Sequence, residues 1–168
     1  MSEIYNQTLI DLVSDYFGSK IIEVKESYET VDFVVDKDVI LDMVLWLKNH
    51  ELLKVNFLTS ICGVHFPTKT GQELSVVYHL HSLTNNLRFR IHVFLPAQKP
   101  EIPTLTKVFA AANWMERETF EFYGINFIGH PDLRIILNEE DMNYHPLLKQ
   151  YPLVDATRTD KDDKYFGR

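Results

Sequence analysis

The sequence predicts an α+β fold: a two-layer domain with helices packed on one face of a mainly antiparallel mixed sheet, continued by an extended C-terminal tail. Three observations predict it. Apolar residues recur at three-and-four spacing in some stretches and at alternate positions in others, in the order helix, two strands, helix, three strands, helix. The strands of the later run set apolar residues on one face and polar ones on the other, the pattern of a sheet covered on one side. Beyond about residue 138 the periodicity stops, so residues 1–138 read as the domain and 139–168 as an extended tail that binds a partner.

Residues 3 to 17 open the chain as a helix, with Ile4, Leu9, Leu12, Val13, Tyr16 and Phe17 on its apolar face and Gly18 ending it. Lys20 to Lys25 and Thr30 to Val35 are β-rich runs joined by Glu26-Ser27-Tyr28-Glu29, which predicts a hairpin. Asp36 or Asp38 is placed to cap a second helix running to about Asn49, whose apolar face is Val39, Ile40, Met43, Val44, Trp46 and Leu47. Strands are expected over about 54–66, 73–83 and 87–95. In the second of these, Leu74, Val76, Tyr78 and Leu80 alternate with Ser75, Val77, His79 and His81. In the third, Leu87, Phe89, Ile91, Val93 and Leu95 alternate with Arg88, Arg90 and His92, giving each strand one buried and one polar face. Pro96, Pro100 and Pro103 stop the sheet, and a third helix is expected from about Thr104 to Tyr123, closed by Gly124. His145-Pro146 and Tyr151-Pro152 then break any regular pattern, and charge dominates 155–168.

Charge and cysteine usage narrow the function. Asp and Glu outnumber Lys and Arg by 24 to 17, a net charge of −7, which argues against a nucleic-acid binder and against unaided docking on anionic lipid. The single cysteine, Cys62, excludes an internal disulfide and supplies too few thiolates for an iron–sulfur cluster. Dinucleotide and phosphate-loop glycine patterns are absent, as is a nucleophile elbow. His79, His81 and His92 fall on one polar face, but Arg88 and Arg90 share it, and two guanidiniums repel a divalent cation. No carboxylate alternates with them in those two strands, so that face reads as solvated or partner-contacting rather than as a metal site.

The stretch from Ala112 to Gly124 is the most informative. Arg117 and Glu121 are four apart on a helix and can pair, while Trp114, Phe120, Phe122 and Tyr123 spread around the same turns. Two readings stand: an ordinary surface ion pair, or a helix end that carries fixed charge into an interface with another protein.

The run Trp114-Met115-Glu116-Arg117-Glu118, with Phe122-Tyr123-Gly124-Ile125-Asn126-Phe127 and Gly129-His130-Pro131-Asp132-Leu133-Arg134, closely resembles the signature of the complex I 30 kDa (C) subunit family. A second block is echoed by Asp141, His145-Pro146-Leu147, Lys149 and Tyr151-Pro152-Leu153, and the resemblance covers roughly residues 50 to 153. Glu121 stands where the family usually has Asp, Ile135 where it has Arg, and His65 where an Asp is common.

The resemblance implies a non-redox structural subunit in the peripheral arm of an NADH:quinone oxidoreductase, without catalytic residues or a cofactor of its own. FMN, iron–sulfur clusters and quinone would sit on other subunits. It implies binding to the large D subunit and to the neighbouring iron–sulfur proteins, the B and I subunits, with membrane attachment only through the complex. The partner-binding residues it points to are Trp114, Glu116, Arg117, Glu118 and Glu121 on the helix. His130, Pro131, Arg134, His145 and Pro146 follow in the segments beyond it. The N-terminus shows no targeting pattern, which leads to the expectation of a prokaryotic protein on the cytoplasmic side of the inner membrane. An equivalent subunit of a membrane-bound hydrogenase or a ferredoxin-fed quinone reductase is the alternative. Removing Arg117 is expected to cost assembly more than it costs the fold.

Overall fold

The computed structural model describes residues 6–152, so the expectations placed on residues 3–5 and 153–168 lie outside the described residues. The observed order is α1 (Asn6–Phe17), β1 (Ile21–Ser27), β2 (Thr30–Val35), α2 (Ile40–Asn49), β3 (Phe57–His65), β4 (Leu74–Ser82), β5 (Leu87–Leu95), β6 (Glu101–Pro103), α3 (Ala112–Tyr123) and β7 (Asn126–Ile128). From Gly129 to Pro152 the chain has turns and bends but no helix or strand.

The main sheet runs β1-β2-β5-β4-β3, antiparallel at every pairing except the central β2–β5 ladder, which is parallel. Joining parallel neighbours requires a long crossover, and here α2, β3 and β4 lie in it. One face of the sheet presents Phe33, Phe89, Ile91, Val76 and Tyr78, all at most 1 % exposed. Leu9 and Val13 of α1, Met43, Val44 and Leu47 of α2, and Ala112 of α3 pack into the same core. Burying side chains of this size stabilises the fold by roughly 1.5–3 kcal/mol each.

Local chemistry explains where the elements stop. The β1–β2 turn is Tyr28-Glu29 alone, with both residues at positive φ (49° and 61°) and Ser27 paired with Thr30. That is the two-residue geometry matching strand twist, here occupied by residues that tolerate it poorly. Gly124 ends α3 in the left-handed conformation at φ 76°, its N–H donating to the Phe120 carbonyl at 2.8 Å.

Several expectations are corrected. Asp36 does not cap α2; its carboxylate accepts the Asp38 N–H at 3.0 Å in a turn before the helix, which begins without a side-chain cap. The third helix starts at Ala112 rather than Thr104, because Thr104 and Leu105 donate sideways to Glu116 instead of entering a helical ladder. Pro103 does not simply stop the sheet. Glu101–Pro103 forms a strand parallel to Asn126–Ile128, and an edge position tolerates the missing N–H of proline. Nor is the second face of β4 fully polar and wet: Ser75 is 0 % and His81 8 % exposed, His81 with the Phe57 ring edge-on to it at 6.4 Å. At the Ser75 end its neighbour Phe94 is covered by Phe66 and by the Lys69 ammonium, 4.7 Å from the Phe94 ring centre.

Candidate functional site

The residues of the Trp114–Glu121 stretch are brought together, but most of their charge points inward. Glu116 is fully buried and accepts from the Thr104 hydroxyl and, at 2.7 Å, from the Leu105 N–H. Burial pushes its carboxyl up to about 7, against the smaller opposing pull of those two hydrogen bonds. Glu121, 2 % exposed, accepts the backbone N–H groups of Ile136 at 2.9 Å, of Leu137 at 3.1 Å and of Asn138. One carboxylate thus gathers three successive amides of the loop after β7.

Arg117 is 6 % exposed and donates from Nε to the Arg134 carbonyl at 3.0 Å. Its guanidinium also lies 4.0 Å from the Asp132 carboxylate and 4.9 Å from the centre of the Trp114 ring. The expected Arg117–Glu121 ion pair therefore does not form. Each side chain finds its partner on the returning loop, where a buried charge is better satisfied than by a neighbour on the same helix.

That loop is shaped by its own residues. His130 accepts the Asp132 N–H on Nδ1 at 3.0 Å and donates from Nε2 to the Asn113 carbonyl at 3.1 Å, pinning the His130-Pro131 turn to the start of α3. Asp132 holds the exposed Arg134 guanidinium through both carboxylate oxygens at 2.7 and 2.8 Å. Hydrogen bonding to Arg134 keeps the Asp132 carboxyl below the usual range.

Further on, His145 donates from Nδ1 to the Glu121 carbonyl at 2.8 Å, and its ring closes over Gly124, where an added Cβ would approach within 2.7 Å. Leu147 N–H donates to the Phe122 carbonyl at 3.2 Å and Lys149 N–H to His65 Nδ1 at 2.9 Å. The half-buried Pro146 lies between these anchors, so residues 145–149 run along the end of α3 onto β3. His65, standing where the family commonly has an acid, supplies the acceptor.

The family model described as "Respiratory-chain NADH dehydrogenase, 30 Kd subunit" matches residues 33–157. The chain belongs to this family. Similar curated proteins are the NADH-quinone oxidoreductase C-type subunit of Nocardioides sp., 41% identical over 73% of this chain and 49% of its own length, and that of Mycolicibacterium paratuberculosis, 35% identical over 89% and 66%. The chain therefore spans about half to two thirds of the length of these relatives. The second of the C-type subunits of Rhizobium etli is 40% identical over 84% of this chain and 74% of its own. Among solved structures, the trypsin-resistant fragment of Nqo5 is 26% identical with a TM-score of 0.64, covering 74% of this chain and 98% of the fragment. A chain of an archaeal membrane-bound sulfane sulfur reductase shares the fold, with a TM-score of 0.75 at 21% identity over 93% of this chain and 95% of its own.

In this 30 kDa-family chain the inward charges leave an outer surface of different character. Trp114 is 62%, Leu137 66% and Ile128 50% exposed, and Glu118, Pro131 and Arg134 are exposed as well. Asp132 is the residue that sequence reasoning undervalued: it joins Arg117, Arg134 and the His130 turn, and its signal was its position two residues after a histidine. Among the described residues no group of three His, Cys, Asp or Glu side chains is placed to hold a metal ion. Among them no helix is long and apolar enough to cross a membrane.

Proposed function

We propose that this chain is a non-redox structural subunit of the peripheral arm of a proton-translocating NADH:quinone oxidoreductase, without catalytic residues or a cofactor of its own. FMN, the iron–sulfur centres and the quinone site then belong to other subunits, and this chain fixes their arrangement. One observation carries the reading: Glu116, Arg117 and Glu121 are spent on holding loops 104–106 and 132–138, while Trp114, Leu137 and Ile128, each attached to one of these braced segments, stay exposed. A braced surface combining a large aromatic, aliphatic side chains and a paired arginine suits protein docking.

The D subunit is the proposed partner at these exposed residues, with the B and I subunits as neighbours. The chain would then be peripheral, on the cytoplasmic side of a prokaryotic inner membrane, and held there by the complex. Purification of the tagged chain from its native membranes tests this. Co-purification of D-type and NADH-binding flavin subunits with NADH:quinone reductase activity is the expected outcome, and recovery of the chain alone would overturn it.

The sulfane sulfur reductase neighbour favours a second reading, the equivalent subunit of a related membrane-bound hydrogenase or ferredoxin-fed reductase. In that case the tagged chain would bring down a large hydrogenase-like subunit with no NADH-binding partner.

A further inference from the structure

The outward face of the sheet, opposite the helices, carries a cavity of about 480 Å³ walled by His79, His81, Arg88 and Arg90 and rimmed by Phe57 and Leu83. The chain has 24 acids to 17 Lys and Arg, yet not one acid lines this cavity. We propose that the cavity is a second docking site and that it takes an acidic segment of a neighbouring subunit, seated with a carboxylate against Arg88.

Three observations support this occupant. Arg90 is already engaged: Asp32, its partner across the parallel β2–β5 ladder, binds its guanidinium through both carboxylate oxygens. Arg88, exposed on the same face, makes no ion pair among the described residues; Glu26 and Glu29 line the adjoining cavity that Arg88 also borders, but neither binds it, so its guanidinium is open to a carboxylate from this side. The buried Nε2 atom of His81, a residue only 8 % exposed, has no hydrogen-bond partner among the described residues, so polar demand in the wall is unmet. Phe57, edge-on to His81 with ring centres 6.4 Å apart, is 45 % exposed and Leu83 is 58 % exposed. A small free anion would leave both apolar rims in water, whereas a peptide carrying Asp or Glu between apolar side chains covers them.

The proposal rests on the reading of this chain as a subunit of a larger complex. The test places a photo-crosslinking amino acid at position 83 in the tagged full chain, assembled in its native membranes. The cross-link is expected on a peptide of another subunit that contains Asp or Glu. Arg88→Glu should weaken it roughly tenfold, as like charges would then face each other, and Arg88→Lys should retain most of it. A cross-link to a second copy of this chain or to lipid, or no cross-link while other subunits still co-purify, overturns the site alone. A yield indifferent to Arg88→Glu does the same. If Arg88→Glu lowers the melting temperature of the chain, the identity of the peptide cross-linked to the otherwise unaltered chain decides. Recovery of the unaltered chain without any other subunit overturns both the site and the subunit reading.

Discussion

Arg117 and Glu121 stand one helical turn apart on α3, yet each side chain binds a different part of the same returning loop. The guanidinium takes the Arg134 carbonyl at 3.0 Å, and the carboxylate takes the amides of residues 136–138. The helix thus acts as a bracket whose charges shape a loop that has no secondary structure of its own.

Glu121→Ala should therefore destabilise the isolated chain by about 3 kcal/mol, since it strands several partly buried amides. In a chain of this size that corresponds to roughly a 10 °C fall in melting temperature. Amide hydrogen exchange at residues 136–138 should rise by more than the global change. A loss under about 0.5 kcal/mol, the size usual for a surface substitution, would show that the loop holds itself.

The bracket was only partly legible in the sequence. Periodicity located α1, α2 and β1 to β5, because alternation and three-and-four spacing are local consequences of burial. It missed β6 and β7, three-residue strands with too few positions to show any period. It could not place Asp32 beside Arg90, since the parallel β2–β5 ladder joins positions 58 residues apart. The candidate site residues were singled out by their spacing and their family resemblance. Their direction was hidden, because a charge on a helix faces water or core according to what the returning chain offers it.

Gly124→Ala should cost about 1–3 kcal/mol for two reasons that act together. Its φ of 76° disfavours a Cβ, and that Cβ would meet the His145 ring at 2.7 Å. Loosening of residues 145–149, read by hydrogen exchange at Leu147 and Lys149, should accompany the loss. If those two amides keep their protection in the variant, His145 is not the anchor of that segment.

Glu116 sets a pH dependence with a definite sign. Its folded-state carboxyl titrates near 7, above the ordinary value of 4.5, so between these limits the folded chain holds a proton that the unfolded chain has released. The stability it contributes is fully present below about pH 4.5 and is lost as pH rises toward 7, with a slope of at most about 1.4 kcal/mol per pH unit. Urea unfolding between pH 5 and 8 checks this against Glu116→Gln, which cannot ionise. The two curves should converge at the acid end and separate toward neutrality, and parallel curves would show that Glu116 is ionised throughout.

Arg117 and Trp114 separate bracing from docking. Arg117 was expected from its sequence to matter chiefly for assembly, but at 6 % exposed and bonded to Arg134 it belongs to the fold as well. Arg117→Ala should cost the isolated chain about 2–3 kcal/mol, because the Arg134 carbonyl loses its donor and the Asp132 charge a neighbour. Trp114 is the reverse case. At 62 % exposed, with its ring face against the Arg117 guanidinium, Trp114→Ala should cost the fold no more than about 1 kcal/mol. If the exposed Trp114 ring meets another subunit, the same change removes an aromatic anchor, worth about 2 kcal/mol or more and some thirtyfold in affinity. Melting temperature of the free chain and recovery of partner subunits from membranes, measured for both variants, give a two-by-two comparison. Trp114→Ala with normal melting and poor recovery supports docking at Trp114, whereas full recovery would move the interface elsewhere on the domain.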